Sequence, residues 1–280
     1  MARPIIVTDS TAGLSAADCE KYGIHVVPLY VHFADQIFRE GVDLSSEQMF
    51  GKMRRSSTPP ATSPPTTEDF RQVYRAVAAK TDQILSIHLS SKLSDTVNVA
   101  QQAAESMLGR TRIHVMDSQS ASAGLGILAK ETAKASAQGM SLDELIPHVR
   151  GLLPRIYLVF FVDTLDYLER GGRIGKAEAL LGSMLNIKPL LILEDGEIQP
   201  LEKVRTRAKA VEKLAEFVAE FTRIRELCIL HEAENEETAQ LREMLKEYFP
   251  GLDAPQAPYG PVLASHVGPG AMGVVVFEGA

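Results

Sequence analysis

Apolar residues follow two rhythms along this chain. Short dense runs, several rich in β-branched residues, are separated by longer stretches in which apolar positions return every three or four residues. The runs at 4–7, 84–88, 113–116, 156–161 and 227–231 predict buried strands. Ser45-Ser46-Glu47-Gln48 and Ser141-Leu142-Asp143-Glu144 have the Ser-x-x-Gln/Glu form, in which two side chains satisfy free N–H groups at a helix start. Helices are therefore expected to open there. Strand and helix alternate over the first half, which implies parallel strands with covering helices, because a crossover lets successive strands run the same way.

The second half has a different texture. Residues 187–193 and 198–204 flank Glu194-Asp195-Gly196-Glu197, which predicts a β-hairpin whose glycine tolerates positive φ. Helices are expected over about 206–222 and 235–248, followed by a Pro- and Gly-rich passage (250–261) and a last strand at 273–278. Pro154 breaks the helical pattern, so a lobe boundary is placed near residues 152–155. The expected architecture is α/β, with lobes of about 1–154 and 155–280.

Composition narrows the function classes. Of 280 residues, 45% are hydrophobic and 23% charged, which is globular composition, and the net charge of −7 argues against binding to phosphate backbones. Cys19 and Cys228 are far apart and lack a CxxC spacing, so two buried free thiols are expected. The first ten residues have no signal-peptide core and no apolar stretch is long enough to span a bilayer, so a cytoplasmic protein is expected.

Candidate chemistry lies in three places. Residues 56–67 are rich in Ser, Thr and Pro, and Pro59, Pro60, Pro64 and Pro65 stiffen an irregular segment that holds Thr62 and Ser63 ready for a polar contact. An ordered connector without further role explains the same composition. Ser94 precedes a helical pattern through Val97, Ala100, Ala104 and Met107, which makes it the expected N-cap. The free N–H groups of that helix start also suit a carboxylate or phosphate. His266 can donate a hydrogen bond in either protonation state. The other histidines show no HxxxH or HExxH pairing, so no metal site is expected.

Three glycine motifs are set aside. Gly268-Pro269-Gly270-Ala271-Met272-Gly273 matches GxGxxG but opens an apparent strand where a dinucleotide fingerprint opens a helix. Gly124-Leu125-Gly126 falls inside a small-residue helix, which implies close packing. Gly171-Gly172-Arg173-Ile174-Gly175-Lys176-Ala177 has neither the glycine spacing nor the hydroxyl of a phosphate loop. There is no GxSxG elbow.

Four motifs taken together, Thr8-Asp9-Ser10, Thr62-Ser63-Pro64-Pro65-Thr66, Ser90-Ser91-Lys92-Leu93-Ser94-Asp95-Thr96 and His266-Val267-Gly268-Pro269-Gly270-Ala271, with Thr164 to Ile174 between them, give a chain that resembles the DegV family of bacterial fatty-acid-binding proteins. The resemblance implies two intimately packed α/β lobes enclosing a lipid tunnel for one long-chain fatty acid such as palmitate, and no further cofactor. It implies carboxylate contacts at Thr62 and Ser94, and maps His266 and Arg205 onto further contacts. It also implies a carrier and not an enzyme: a separate kinase of the dihydroxyacetone-kinase type would phosphorylate the carboxylate for phospholipid synthesis. Arg173, between glycines, is a candidate for docking that partner, or for pairing with Glu169. Residues 159–162 and 179–187 are candidate tunnel lining. Pro64, Thr66 and Asp95 depart from the family's usual Gln, Ser and Gly, and Asp95 is expected to point away from the head site. A stand-alone enzyme on an acyl or phosphoryl substrate and a lipid-dependent regulatory module remain open beside the carrier.

Overall fold

The computed structural model describes residues 3–56, 58–107, 109, 111–183 and 187–279. In chain order the strands are β1 (Ile5–Asp9), β2 (His25–Val27), β3 (Tyr30–Phe33), β4 (Gln36–Arg39), β5 (Ala61–Ser63), β6 (Gln83–His88), β7 (Arg112–Asp117), β8 (Ile156–Phe161), β9 (Lys188–Glu194), β10 (Glu197–Val204), β11 (Ile224–His231), β12 (Gln256–Pro258) and β13 (Met272–Glu278). The helices are α1 (Ala16–Tyr22), α2 (Ser46–Arg55), α3 (Thr67–Ala78), α4 (Thr96–Glu105), α5 (Ser122–Ala137), α6 (Leu142–Leu152), α7 (Asp166–Arg170), α8 (Arg207–Ala219), α9 (Glu236–Tyr248) and α10 (Pro261–Val267).

The fold is α/β. The first half forms the expected parallel sheet, in the order β2-β1-β6-β7. From residue 156 onward a six-stranded sheet forms in the order β10-β9-β8-β13-β11-β12, antiparallel except for the β11–β12 pair. The last strand, β13, inserts between β8 and β11. A small antiparallel sheet, β4-β3-β5, completes the set.

Local chemistry explains the boundaries. Capping boxes form at Ser45/Gln48 and Ser141/Glu144, as the sequence predicts, and also at Thr66/Asp69 and Asn235/Thr238. The hairpin turn has φ of 51° at Asp195 and 77° at Gly196, the paired positive values of a two-residue turn matched to strand twist. Two expectations are corrected. Within 56–67, Ala61–Ser63 is a regular strand paired with β3, because the four prolines flank these three residues and leave their N–H groups intact. Ser94 is not the N-cap: α4 begins at Thr96 with Asp95 in the capping position, and Ser94 Oγ lies 2.8 Å from Thr96 Oγ1.

Helix α5 lies between the two large sheets, touching β1 and β6 on one side and β8, β11 and β13 on the other. That position requires small residues on more than one face. A Cβ at Gly124 would fall 2.3 Å from Ser120 Oγ, and one at Gly126 would fall 2.5 Å from the Ala12 carbonyl oxygen. A continuous apolar cluster runs from Ile6 and Leu85 of the parallel sheet through Leu125 and Leu128 of α5 to Leu158, Phe160 and Val275 of the antiparallel sheet. On the far face of that sheet Val159, Phe161, Val274 and Val276 pack under α8 and α9. The halves also meet at the hairpin turn, where Ser90 Oγ donates to the Gly196 carbonyl at 2.6 Å.

The helix–sheet spacing can be tested. Gly126→Ala is expected to destabilise the protein by about 1–3 kcal/mol through overpacking. Gly51→Ala in α2, where an added Cβ meets nothing within 4 Å, is expected to be neutral or slightly stabilising. Urea unfolding of both variants measures the difference, and equal stabilities would refute close packing at α5.

Candidate functional site

Two cavities share a wall made by Leu93, Ile198, Leu263 and Val267. The first lies against the inner face of the antiparallel sheet, lined by Leu158, Phe160, Leu193, Leu230 and Met272, and closed by Ala121 and Ser122 at the start of α5 and by Tyr259. The second is the polar one: Thr62, Ser63, Ser94, Arg173 and His266 line it beside Leu29, Leu89 and Leu168.

Each polar residue is held by a different element. Thr62 is in β5 opposite Val31 of β3, and its Oγ1 lies 2.7 Å from His266 Nε2. His266 stands near the end of α10, where Gly171 passes so close that a Cβ there would lie 2.3 Å from Nδ1. That Nδ1 is buried and has no hydrogen-bond partner among the described residues. Burial, with Arg173 nearby, pulls the imidazole down to about 4, so it is neutral at pH 7. An unpaired N–H at Nδ1 would be disfavoured more than an unpaired lone pair, which places the proton on Nε2, donated to Thr62 Oγ1. The Thr62 hydroxyl proton is then free to donate into the cavity. Arg173 is half-buried, donating from Nε to the Leu93 carbonyl at 2.9 Å and from Nη1 to the Gly171 carbonyl at 2.5 Å, and it makes no pair with Glu169. It thereby fixes the loop that carries Ser94. Asp95 is exposed and bonded to Asn98, outside the cavity.

The Gly-Pro-Gly segment after α10 is clamped from two sides. Gly268, at φ 74°, leaves no room for a Cβ against the Tyr167 ring, and its carbonyl accepts from the Tyr259 hydroxyl at 2.9 Å. Arg207 donates to the Gly270 carbonyl at 2.7 Å and Glu232 accepts from the Gly270 N–H at 2.8 Å. Arg207 also pairs with Asp163 and Glu237. Burial opposes ionisation of Asp163, but hydrogen bonds from Lys188 and Arg207 outweigh it and hold the carboxyl below its ordinary range. At the other end of α10, buried Glu40 accepts from the Val262 N–H at 2.8 Å and from Ser10 Oγ at 2.6 Å. Burial pushes the Glu40 carboxyl up to about 7 despite these bonds.

The chain matches over residues 5–279 the family described as "uncharacterised protein, DegV family". It belongs to the DegV family. A DegV domain-containing protein of Streptomyces coelicolor is 39% identical over 275 residues, covering 97% of each chain. The solved structure of a DegV family protein of Thermus thermophilus, described as binding fatty acid, has a TM-score of 0.91 at 35% identity and covers 99% of both chains. A stearic-acid-binding protein of Eubacterium ventriosum has a TM-score of 0.89 at 26% identity, covering 99% of this chain and 98% of that one.

In this DegV chain, Thr62, Ser94, His266 and Arg173 come together around one cavity, whereas Arg205 does not. Arg205 is exposed just beyond β10, and the inward-facing arginine near it is Arg207. Of the two stretches expected to line a tunnel, 159–162 contributes Phe160 to the apolar cavity, with Val159 and Phe161 on the opposite face. Residues 179–182 and Ile187 line neither cavity, and the side chain of residue 183 and residues 184–186 lie outside what the structure describes. Cys228 is buried and its thiol is pushed up to about 12, but Cys19 is only half-buried; both are free. Sequence reading missed Glu40, Tyr259 and Ser122. Of these only Glu40 carried a signal, a lone acid before a Gly-Val-Asp turn.

Thr8-Asp9-Ser10 has a structural explanation. Ser86 Oγ is 2.7 Å from His88 Nε2, and His88 Nδ1 is 3.1 Å from Asp9 Oδ2, the connectivity of a nucleophile triad. All three residues are fully buried, Tyr74 donates to Ser86 Oγ, and Asp9 accepts from the Leu89 and Thr11 N–H groups. The triad ties β1 to β6 and sets the start of the Ser90–Ser94 loop.

Stability should report the neutral imidazole. Between pH 6.5 and about 4 the unfolded chain protonates His266 and the folded chain does not, so stability falls as pH drops through that window. The shift, from 6.5 to about 4, corresponds to about 3 kcal/mol. Glu40 works oppositely: its contribution is complete below 4.5 and lost as pH rises through about 7. Urea unfolding of His266→Gln is expected to show a smaller loss than the parent between pH 7 and 4.5, and parallel pH profiles would contradict the assignment.

Proposed function

We propose that this DegV family protein binds one long-chain fatty acid, with the carboxylate in the polar cavity and the acyl chain in the apolar one. The observation that carries this reading is that a hydroxyl-lined space and an almost wholly hydrocarbon space lie side by side, with Leu93, Ile198, Leu263 and Val267 lining both. The binding reported for the Thermus thermophilus and Eubacterium ventriosum relatives supports it. Thr62 and Ser94 would donate to the carboxylate, with Arg173 supplying positive charge and neutral His266 orienting Thr62. Burial gives about 0.8 kcal/mol per methylene, so about fifteen methylenes gain about 12 kcal/mol before ordering costs. The tail sets affinity. The hydroxyls select an acid over an alcohol or ester, because a buried charge without donors is strongly disfavoured.

We further propose a carrier role in the cytoplasm, with lobes of about 1–154 and 155–280 enclosing the ligand and a kinase of the dihydroxyacetone-kinase type acting on the presented carboxylate for phospholipid synthesis. Catalysis belongs to that partner. No helix among the described residues is long and apolar enough to cross a membrane.

Mass spectrometry of the organic extract from detergent-free protein is expected to find one fatty acid per chain. Thr62→Ala and Ser94→Ala should each weaken binding by about 1.5–3 kcal/mol in calorimetry, the range for a hydrogen bond to a charged group, with unfolding transitions retained. Undiminished binding in the double variant would overturn the head-site assignment.

A further inference from the structure

We infer that the apolar cavity contains a second polar contact, Ser122, which recognises a hydroxyl group carried along the acyl chain, away from the carboxylate. The inference deepens the fatty-acid reading and rests on it.

Among the described residues, two side chains in that cavity wall carry oxygen, Ser122 and Tyr259. Tyr259 is satisfied, because its O–H donates to the Gly268 carbonyl at 2.9 Å. Ser122 is 5% exposed and lines the cavity, and among the described residues its hydroxyl has no hydrogen-bond partner. Its oxygen is not among the fully buried unpaired atoms of the described residues, so it is an apolar occupant filling the cavity that would leave it desolvated without a partner. An alanine would serve a purely hydrocarbon wall better.

The surroundings point the same way. Ser122 is the first residue of α5, and Ala121 before it has no side chain able to cap the helix. Six other helices are capped, by Ser15, Ser45, Thr66, Ser141, Thr206 and Asn235. The positive end of a 16-residue helix therefore faces the same part of the cavity wall, and it favours an electron-rich oxygen there. Ser122 also sits at φ 55°, a left-handed conformation that L residues other than glycine, asparagine and aspartate seldom adopt.

An unsubstituted acyl chain leaves this hydroxyl unpaired. A chain hydroxyl pairs with it in either direction, since each partner both donates and accepts. Ser122 does not line the polar cavity, so the carboxylate is served by Thr62 and Ser94 while Ser122 reads the chain.

The test is competitive displacement of a fluorescent fatty acid from lipid-stripped full-length protein by stearate and by a series of positional isomers of hydroxystearate. At least one isomer is expected to bind about 2–10-fold more tightly than stearate, the range of one neutral hydrogen bond. That advantage should disappear in Ser122→Ala and in Ser122→Gly, while stearate binds at least as well as before. The glycine variant suits the positive φ and keeps the test valid if the alanine variant fails to fold. Stearate preferred over every isomer, or an advantage that persists in the variants, overturns the inference. Failure of stearate itself to bind would overturn the fatty-acid reading, and this inference with it.

Discussion

The structure depends on one close approach: a helix of small residues held between two sheets. Each sheet needs a covering layer on its inner face, and α5 serves both. The helix is therefore buried on nearly every side, which excludes the usual polar stripe and leaves no space for side chains at Gly124 and Gly126. Where α5 begins, the sheets are no longer bridged by a full helix, and the apolar cavity lies against this end. Tight packing along the helix and empty space at its start belong to the same arrangement.

The polar cavity obeys a second rule, that each group facing it is fixed by bonds made elsewhere. The Asp9–His88–Ser86 network sets the loop leading to Ser94, and Arg173 fixes that loop's carbonyl at Leu93. Glu40 holds one end of α10, and the Tyr259 hydroxyl with the Arg207 and Glu232 bonds holds the glycines beyond the other. Pre-positioned donors lose little entropy when a ligand arrives. Neutral His266 fits this scheme, since a cation there would face Arg173 in a desolvated space.

Legibility in the sequence followed the range of the forces. Capping boxes, the Asp-Gly hairpin and the parallel first half were readable because local chemistry decides them. Thr62, Ser94 and His266 were readable as candidates, while the contact between Thr62 and His266, 204 positions apart, is a property of the fold. The strand at Ala61–Ser63 was hidden because its prolines look like breakers until their flanking position is known. Ser94 looked like a cap because a serine before a helix usually is one, but the helix starts one residue later than that reading requires. Arg205 and Arg207 could not be told apart by spacing, since what separates them is which one meets Asp163, Glu237 and Gly270.

The shared apolar cavity has a consequence for the protein's lifetime. Its walls come from the antiparallel sheet, from the loop at Leu93 and from α5 and α10, so an occupant would serve as a detachable part of the core. By mass action, a ligand at a hundred times its dissociation constant adds about 2.7 kcal/mol to the folded state. An empty chain visits open states more often and is exposed to proteolysis in proportion. The amount of protein that persists would then follow the supply of its ligand, with no separate sensor required.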